Sequence, residues 1–231
     1  MLFSRISLFI GIQALFALGF MLAGANSAWE KSANWWPLVV TIANFITLFL
    51  LVRLFRREGK NFWDIFRIQK KYIKSDLLVL AGTLVLLGPV SYLPNVGLGG
   101  LLFGDPQRTL DLIVRPLPFW AVYISIILFP LTQALAELAT YFFYSMPRLE
   151  AQGLSRWLAV SLASLVLAFQ HIGVPFLFDA RFIAWRALMF VPFAFFVGIL
   201  LRWRPRLLPY LAIVHGLMDL AFAVMFLGSA Y

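Results

Sequence analysis

The chain contains no cysteine. That absence excludes disulfides, thiolate metal sites and a cysteine nucleophile. Charge is also scarce: Asp, Glu, Lys and Arg make up 13% of the 231 residues, against roughly 25% in a soluble domain. Histidine occurs twice, at His171 and His215. No polar linker, internal repeat or low-complexity stretch divides the chain, so a single domain is expected. What is present is apolar surface. Hydrophobic residues reach 62%, where roughly 45–50% is usual, and such an excess calls for lipid as solvent. In lipid the backbone must satisfy itself, which leaves helices or closed barrels. The apolar runs are long and unbroken rather than alternating, so they predict helices.

Crossing a hydrocarbon core of about 30 Å takes about 20 apolar residues. Runs of that kind predict seven spans near 6–24, 37–53, 77–94, 117–145, 157–178, 187–201 and 207–227. The expected fold is an all-α transmembrane bundle. The N-terminal run also resembles a signal peptide, with small residues at Ala23, Ala25 and Ala28. A retained first helix is the preferred reading.

The net charge of +9 is unevenly distributed. An alternating seven-span arrangement puts Arg5, the eight basic residues from Arg53 to Lys74, Arg148, Arg156, Arg202, Arg204 and Arg206 at one end. The opposite end receives Lys31, Arg108, Arg115, Arg181 and Arg186. Cytoplasmic loops carry the excess of Lys and Arg, so the N-terminus is expected inside and the C-terminus outside. A bacterial cytoplasmic membrane suits the short loops and missing cysteine.

Residues 58–76 alternate Phe62, Ile65, Phe66, Tyr72 and Ile73 with lysine and arginine. They read as an amphipathic helix on the inner leaflet, drawn to anionic lipid, or as a solvated basic loop. Either accounts for the positive charge without nucleic acid. Residues 95–116 read as an interfacial or re-entrant outer loop.

Inside the spans the ionisable residues reduce to Glu137, His171, His215 and Asp219. Such groups are costly in a membrane and normally face the bundle interior. Gln133, Glu137, Tyr141 and Tyr144 recur at helical spacing, giving one polar stripe. Ser161, Ser164 and Ala168 form a small-residue stripe leading to His171, suited to close helix approach. His215 and Asp219 are four apart and share a face. Residue counts are compatible with one water-accessible cavity open to the inner side. A carboxylate and a histidine there can activate water and protonate a leaving amine, and a second histidine can stabilise an oxyanion. The same residues also suit interhelical hydrogen bonds worth about 0.6 kcal/mol each, a bis-histidine haem site on His171 and His215, or a proton pathway.

Three stretches carry a family resemblance. Residues 137–149 read ELATYFFYSMPRL, residues 157–171 read WLAVSLASLVLAFQH, and residues 196–220 read FVGILLRWRPRLLPYLAIVHGLMDL. In order and spacing they resemble the motifs of the CAAX protease and bacteriocin-processing (Abi) family of intramembrane glutamic endopeptidases. That family's first motif reads like EELLFRGYLLPRL, its second is FxxxH, and its last is HxxxN-like. The resemblance spans about residues 125–225, so 1–116 is expected to supply N-terminal helices and interfacial segments, and 117–231 the family-like core with the polar site. It implies that Glu137 and His171 activate water, that His215 and Asp219 serve the oxyanion and the site's architecture, and that no metal or cofactor takes part. The implied substrate is a membrane-associated peptide or protein cut near the inner face.

The sequence departs from the motifs at five positions. Leu138 stands for the second glutamate, Phe142 for the arginine, Phe143 for the glycine, Leu167 for the FxxxH phenylalanine and Asp219 for the asparagine. The first two losses fit together, since exchanging a buried ion pair for apolar residues is often neutral or stabilising. An Asp219 that assists an oxyanion has to be neutral or paired with a protonated His215. Shifting the first motif by one residue would align Ala136 and Glu137 with the two glutamates; the register with Glu137 first keeps Tyr144, Pro147, Arg148 and Leu149 matched. The alternative is an inactive relative acting as a membrane scaffold or chaperone.

Overall fold

The computed structural model describes all 231 residues and contains helices and no strands. Seven helical stretches are long and apolar enough to cross a membrane. They are Ser4–Leu22 (α1), Trp36–Arg57 (α3), Phe62–Phe103 with α4 (Ile73–Phe103), Phe119–Ala151 (α6 continued through α7), Arg156–Gly173 with α8 (Arg156–Gln170), Ala180–Trp203 (α9 with α10) and Pro205–Ser229 with α11 (Leu208–Val224). Here α6 is Phe119–Leu138, α7 is Met146–Ala151, α9 is Ala180–Leu188 and α10 is Val191–Trp203. Two short helices, α2 (Ala28–Asn34) and α5 (Gln107–Ile113), lie between spans.

Local chemistry sets these boundaries. Asp179 caps α9, its Oδ1 accepting from the backbone N–H groups of Arg181 (2.8 Å) and Phe182 (3.0 Å). Pro37, Pro192 and Pro209 sit in the first turns of α3, α10 and α11, where no backbone donor is lost. The sixth span is thus longer than expected, because α9 joins α10 across a turn at Met189–Phe190.

Two segments differ from the sequence reading. The third span does not end at residue 94: α4 runs through Pro89 and Pro94 to Phe103, and Gly104 ends it with a φ of +77°. Residues 95–103 are therefore helix, and only 104–118, including α5, connect α4 to α6. Residues 58–76 are not one amphipathic helix. They form two 3-10 turns, Phe62–Phe66 and Lys70–Tyr72, before α4 begins. Phe62 is buried with Leu51, Phe55 and Ala139, whereas Lys60, Arg67, Lys70 and Lys71 remain exposed. Apolar side chains do turn inward, but over a single short turn.

The close helix contacts rest on small residues. At Gly198 of α10 a Cβ would fall 2.5 Å from the Ser164 hydroxyl and 2.8 Å from the Phe142 ring. The small-residue stripe of α8 meets its partner there. At Gly216 of α11 a Cβ would fall 3.2 Å from Ala134 of α6. This approach brings the neighbouring His215 up against α6, opposite Glu137. Leu138 and Phe142 are both buried in the apolar core.

Candidate functional site

Glu137 lies near the end of α6 and is 1% exposed. It stands between both histidines of the chain: Oε1 is 3.7 Å from His171 Nε2, and Oε2 is 3.3 Å from His215 Nε2. The His215 Nε2 is also 3.4 Å from Asp219 Oδ2, one helical turn along α11. The four ionisable residues singled out from sequence therefore meet at one place. Their grouping differs in one respect: His215 engages Glu137 as well as Asp219, so the two expected pairs form one cluster.

The His171 ring is held in a defined way. Its Nδ1 lies 3.0 Å from the Leu167 carbonyl and 3.2 Å from that of Ala168. Those acceptors require the proton on Nδ1, leaving the lone pair of a neutral ring on Nε2, toward Glu137. Phe190 stacks on the imidazole with centroids 3.9 Å apart.

Beneath the carboxylate lies a network of buried polar side chains, most of which carry no charge. Glu137 Oε1 accepts from the Gln133 amide (2.7 Å) and the Gln170 amide (2.6 Å). The carbonyl oxygens of the same two amides accept from one guanidinium, that of Arg5: Nε to Gln170 Oε1 at 2.7 Å and Nη2 to Gln133 Oε1 at 2.8 Å. Arg5 Nη1 donates to Asn44 Oδ1 at 2.7 Å. Asn44 in turn donates to Gln133 Oε1 and Thr132 Oγ1, and the Tyr141 hydroxyl donates to Gln170 Oε1. Arg5 is fully buried. Its charge thus reaches the carboxylate through two polarised amides.

Arg5 is therefore no headgroup anchor at the basic end, and Arg186 is no surface cation at the other. Arg186 is 5% exposed and lines the site. Both arginines were misassigned because a charged residue near a span end ordinarily snorkels to the surface. Asn44 and Gln170 were missed because a neutral amide gives no ionisation signal; a census of Asn and Gln within the spans would have found them. Arg5 and Asn44 also take the polar site beyond 117–231. The expected stripe on α6 holds for Gln133, Glu137 and Tyr141 and then breaks. Residues Ala139–Ser145 form a π-helical stretch, which changes the period and turns Tyr144 away, under Arg148 and beside Phe55. Such stretches are frequent at functional sites.

Glu137, His171 and His215 form the floor of a cavity of about 370 Å³, at the small end of the ~300–1,000 Å³ range of ligand sites. Its walls include Trp36, Phe129, Asn95 of α4 and Ile113 of α5. These residues lie toward the 104–118 connection, so the cavity extends from Glu137 away from the basic end. The Arg5 network closes the other side. This overturns the expected opening toward the basic end, whose span-length reasoning placed the residues without showing what packs beneath them. Because one carboxylate stands against both Nε2 atoms, it also occupies the place where a macrocycle bridging His171 and His215 would lie.

No family model, curated protein or solved structure matches this chain.

Proposed function

We propose that this integral membrane protein is an intramembrane glutamic endopeptidase that hydrolyses a peptide bond at the cavity floor. The observation that carries this reading is the juxtaposition of Glu137 Oε1 and His171 Nε2, two acceptors 3.7 Å apart at the floor of a mostly apolar cavity. Two acceptors facing each other at that distance suit a water that donates to both. Glu137 takes the water's proton as the oxygen attacks the carbonyl carbon, then returns it to the departing amine. The amides of Gln133 and Gln170 hold the carboxylate against rotation. Once Glu137 is protonated it competes less for the His215 Nε2–H, which becomes available to the developing oxyanion. Asp219 stands beside the same Nε2 at 3.4 Å.

The similarity of residues 137–149, 157–171 and 196–220 to the motifs of the CAAX protease and bacteriocin-processing family supports the same roles. The Lys and Arg excess at the 58–76 end supports an N-terminus on the cytoplasmic side. Exposed Lys60, Arg67, Lys70 and Lys71 suit anionic headgroups there. The substrate class that fits the cavity is a membrane-associated peptide or protein whose apolar segment reaches the mid-depth of the bundle.

A second reading has one specific observation in its favour. Glu137 is held by two amides and faces the His215 imidazole at 3.3 Å, an engagement that suits the keystone of a non-catalytic scaffold. Comparing protein termini in membranes carrying the wild-type chain, Glu137→Gln or no copy separates the two. Glutamine keeps the shape and removes the base. A protease loses its cleavage products in Glu137→Gln as completely as in the null, a fall of at least ~10²-fold. Products unchanged in Glu137→Gln, with a phenotype only in the null, would overturn the catalytic reading.

A further inference from the structure

Burying a charge is costly unless it is compensated, and two guanidinium groups are buried here: Arg186 in the cavity lining and Arg5 beneath its floor. Arg5 is matched to Glu137 through Gln133 and Gln170. Arg186 has no such match. Its Nε donates to the His171 carbonyl (3.0 Å) and its Nη2 to the Val174 carbonyl (2.6 Å), while Nη1 meets only the Met189 thioether at 3.9 Å. A guanidinium has five N–H donors, so Nη2 keeps one without an acceptor and Nη1 keeps one beyond the N–H that meets the thioether. Neither acid of the cavity bonds Arg186: Glu137 accepts from the Gln133 and Gln170 amides, and Asp219 Oδ2 lies 3.4 Å from His215 Nε2. Two main-chain carbonyls could be satisfied by a neutral donor. A buried cation is more than that task requires.

The surroundings select the kind of anion. Trp185 and Phe190 each place a ring 5.5 Å from the guanidinium carbon, so the charge sits among apolar faces rather than in a polar basin. Trp185 Nε1 donates to Asn95 Oδ1 at 3.0 Å. The Asn95 amide N–H₂ has no acceptor in the chain, and Asn95 lines the same cavity. Two spare guanidinium donors in one plane match the two oxygens of a carboxylate, and a guanidinium with no acid bonded to it matches one negative charge. A phosphate carries more charge and more oxygens than these donors meet.

We propose that Arg186, assisted by Asn95, is a carboxylate-recognition site, and that the cavity binds an apolar monocarboxylate such as the free C-terminus of a hydrophobic peptide. Binding of this kind holds whether or not the floor residues hydrolyse anything, so it is read by affinity and not by turnover.

The test uses the full chain in nanodiscs of zwitterionic lipid. A panel of N-acetylated dipeptides of Ala, Val, Leu and Phe is titrated calorimetrically, each as free acid and as carboxamide, with octyl phosphate as a separate arm. At least one free acid is expected to bind roughly tenfold or more tightly than its amide, as a charge-assisted pair allows. Arg186→Gln should abolish that preference, the acid falling to the level of its amide, while amide binding that remains measurable shows that the cavity is intact. Arg186→Lys, which keeps the charge and loses the fork, should retain a reduced preference and stands in if the glutamine variant does not fold. Equal binding of acids and amides by the wild type, no acid binding at millimolar concentration, or a preference that survives Arg186→Gln would each overturn the proposal. Binding of octyl phosphate in place of every acid would overturn the carboxylate assignment and point to a lipid headgroup.

Discussion

The floor of the cavity, with Glu137, His171 and His215, and its α4 wall, with Ser91, Tyr92 and Asn95, are built differently. On α6, which carries Glu137, 11 of 20 residues are buried. On α4 only Asp76, Thr83, Leu87 and Gly99 are buried out of 31. The floor spends its polar groups on each other, from Arg5 through two amides to Glu137. The α4 wall leaves the Asn95 amide group spare and turns most of its length to lipid. A bonded floor fixes where a reacting group sits, whereas a loosely packed wall next to it leaves room for a ligand to enter and leave. Substitutions should therefore be costly on one side and nearly free on the other.

The largest effect is expected at Arg5. Arg5→Met strips Gln170, Gln133 and Asn44 of a shared donor and leaves the Glu137 carboxylate without its cation. Removing one side of a buried charge system costs about 3–5 kcal/mol. Because the two charges communicate through the amides, Glu137→Gln in the same chain should recover part of that loss. A double-variant cycle in mixed micelles is expected to give a coupling of at least ~1 kcal/mol. Strict additivity would mean that Arg5 serves the fold without serving Glu137.

A single type of substitution, glycine to alanine, sharpens the contrast between core and wall. Gly198→Ala forces a methyl to within 2.5 Å of the Ser164 hydroxyl and 2.8 Å of the Phe142 ring. Overpacking of this kind costs about 1–3 kcal/mol. Gly88 of α4 has nothing within 4 Å of an added Cβ. Gly88→Ala should be neutral or stabilise by up to ~1 kcal/mol, the helix-propensity difference between the two residues. Unfolding measured for both in one detergent system gives the two signs; a destabilised Gly88→Ala would show that α4 packs more tightly than its exposure indicates.

This division also explains what could be read from the sequence. The number of spans was legible because lipid imposes a length on each run. Glu137, His171, His215 and Asp219 were legible because a titratable group in an apolar run is rare enough to need a reason. The close approach at Ser164 was legible from its small neighbours. Arg5 was not, since proximity to a span end is equally what a surface anchor shows. The helical residues 95–103 were not, because Gly97, Gly99, Gly100 and Pro94 are loop formers in water. In lipid the backbone has no water to bond, so the helix persists through them. Tyr144 was lost to the π-helical stretch, which no residue type announces. The direction of the cavity depends on which helices fail to meet, and periodicity along one helix carries no such information.

The smallest effect is expected at the basic end, where a polar pair is neither floor nor wall. Arg148 donates to Glu58 through Nε and Nη2, and its guanidinium lies 3.4 Å from the Tyr144 ring centroid. The hydrogen bond from Arg148 holds the Glu58 carboxyl below its usual value of 4.5, with the opposing desolvation effect smaller. Glu58 lies at the surface, and solvent screening leaves exposed pairs little net worth. The sign is nonetheless fixed. A carboxyl whose folded pKa is depressed stabilises the fold above its unfolded pKa and loses that contribution as pH falls through the folded one. The thermal stability of wild type minus that of Arg148→Met should therefore be constant from neutral pH down to about 5 and shrink below about 4. Part of the difference should persist in acid, because the stacking on Tyr144 does not titrate. A difference that stays flat throughout would assign the whole contribution of Arg148 to the aromatic ring and none to Glu58.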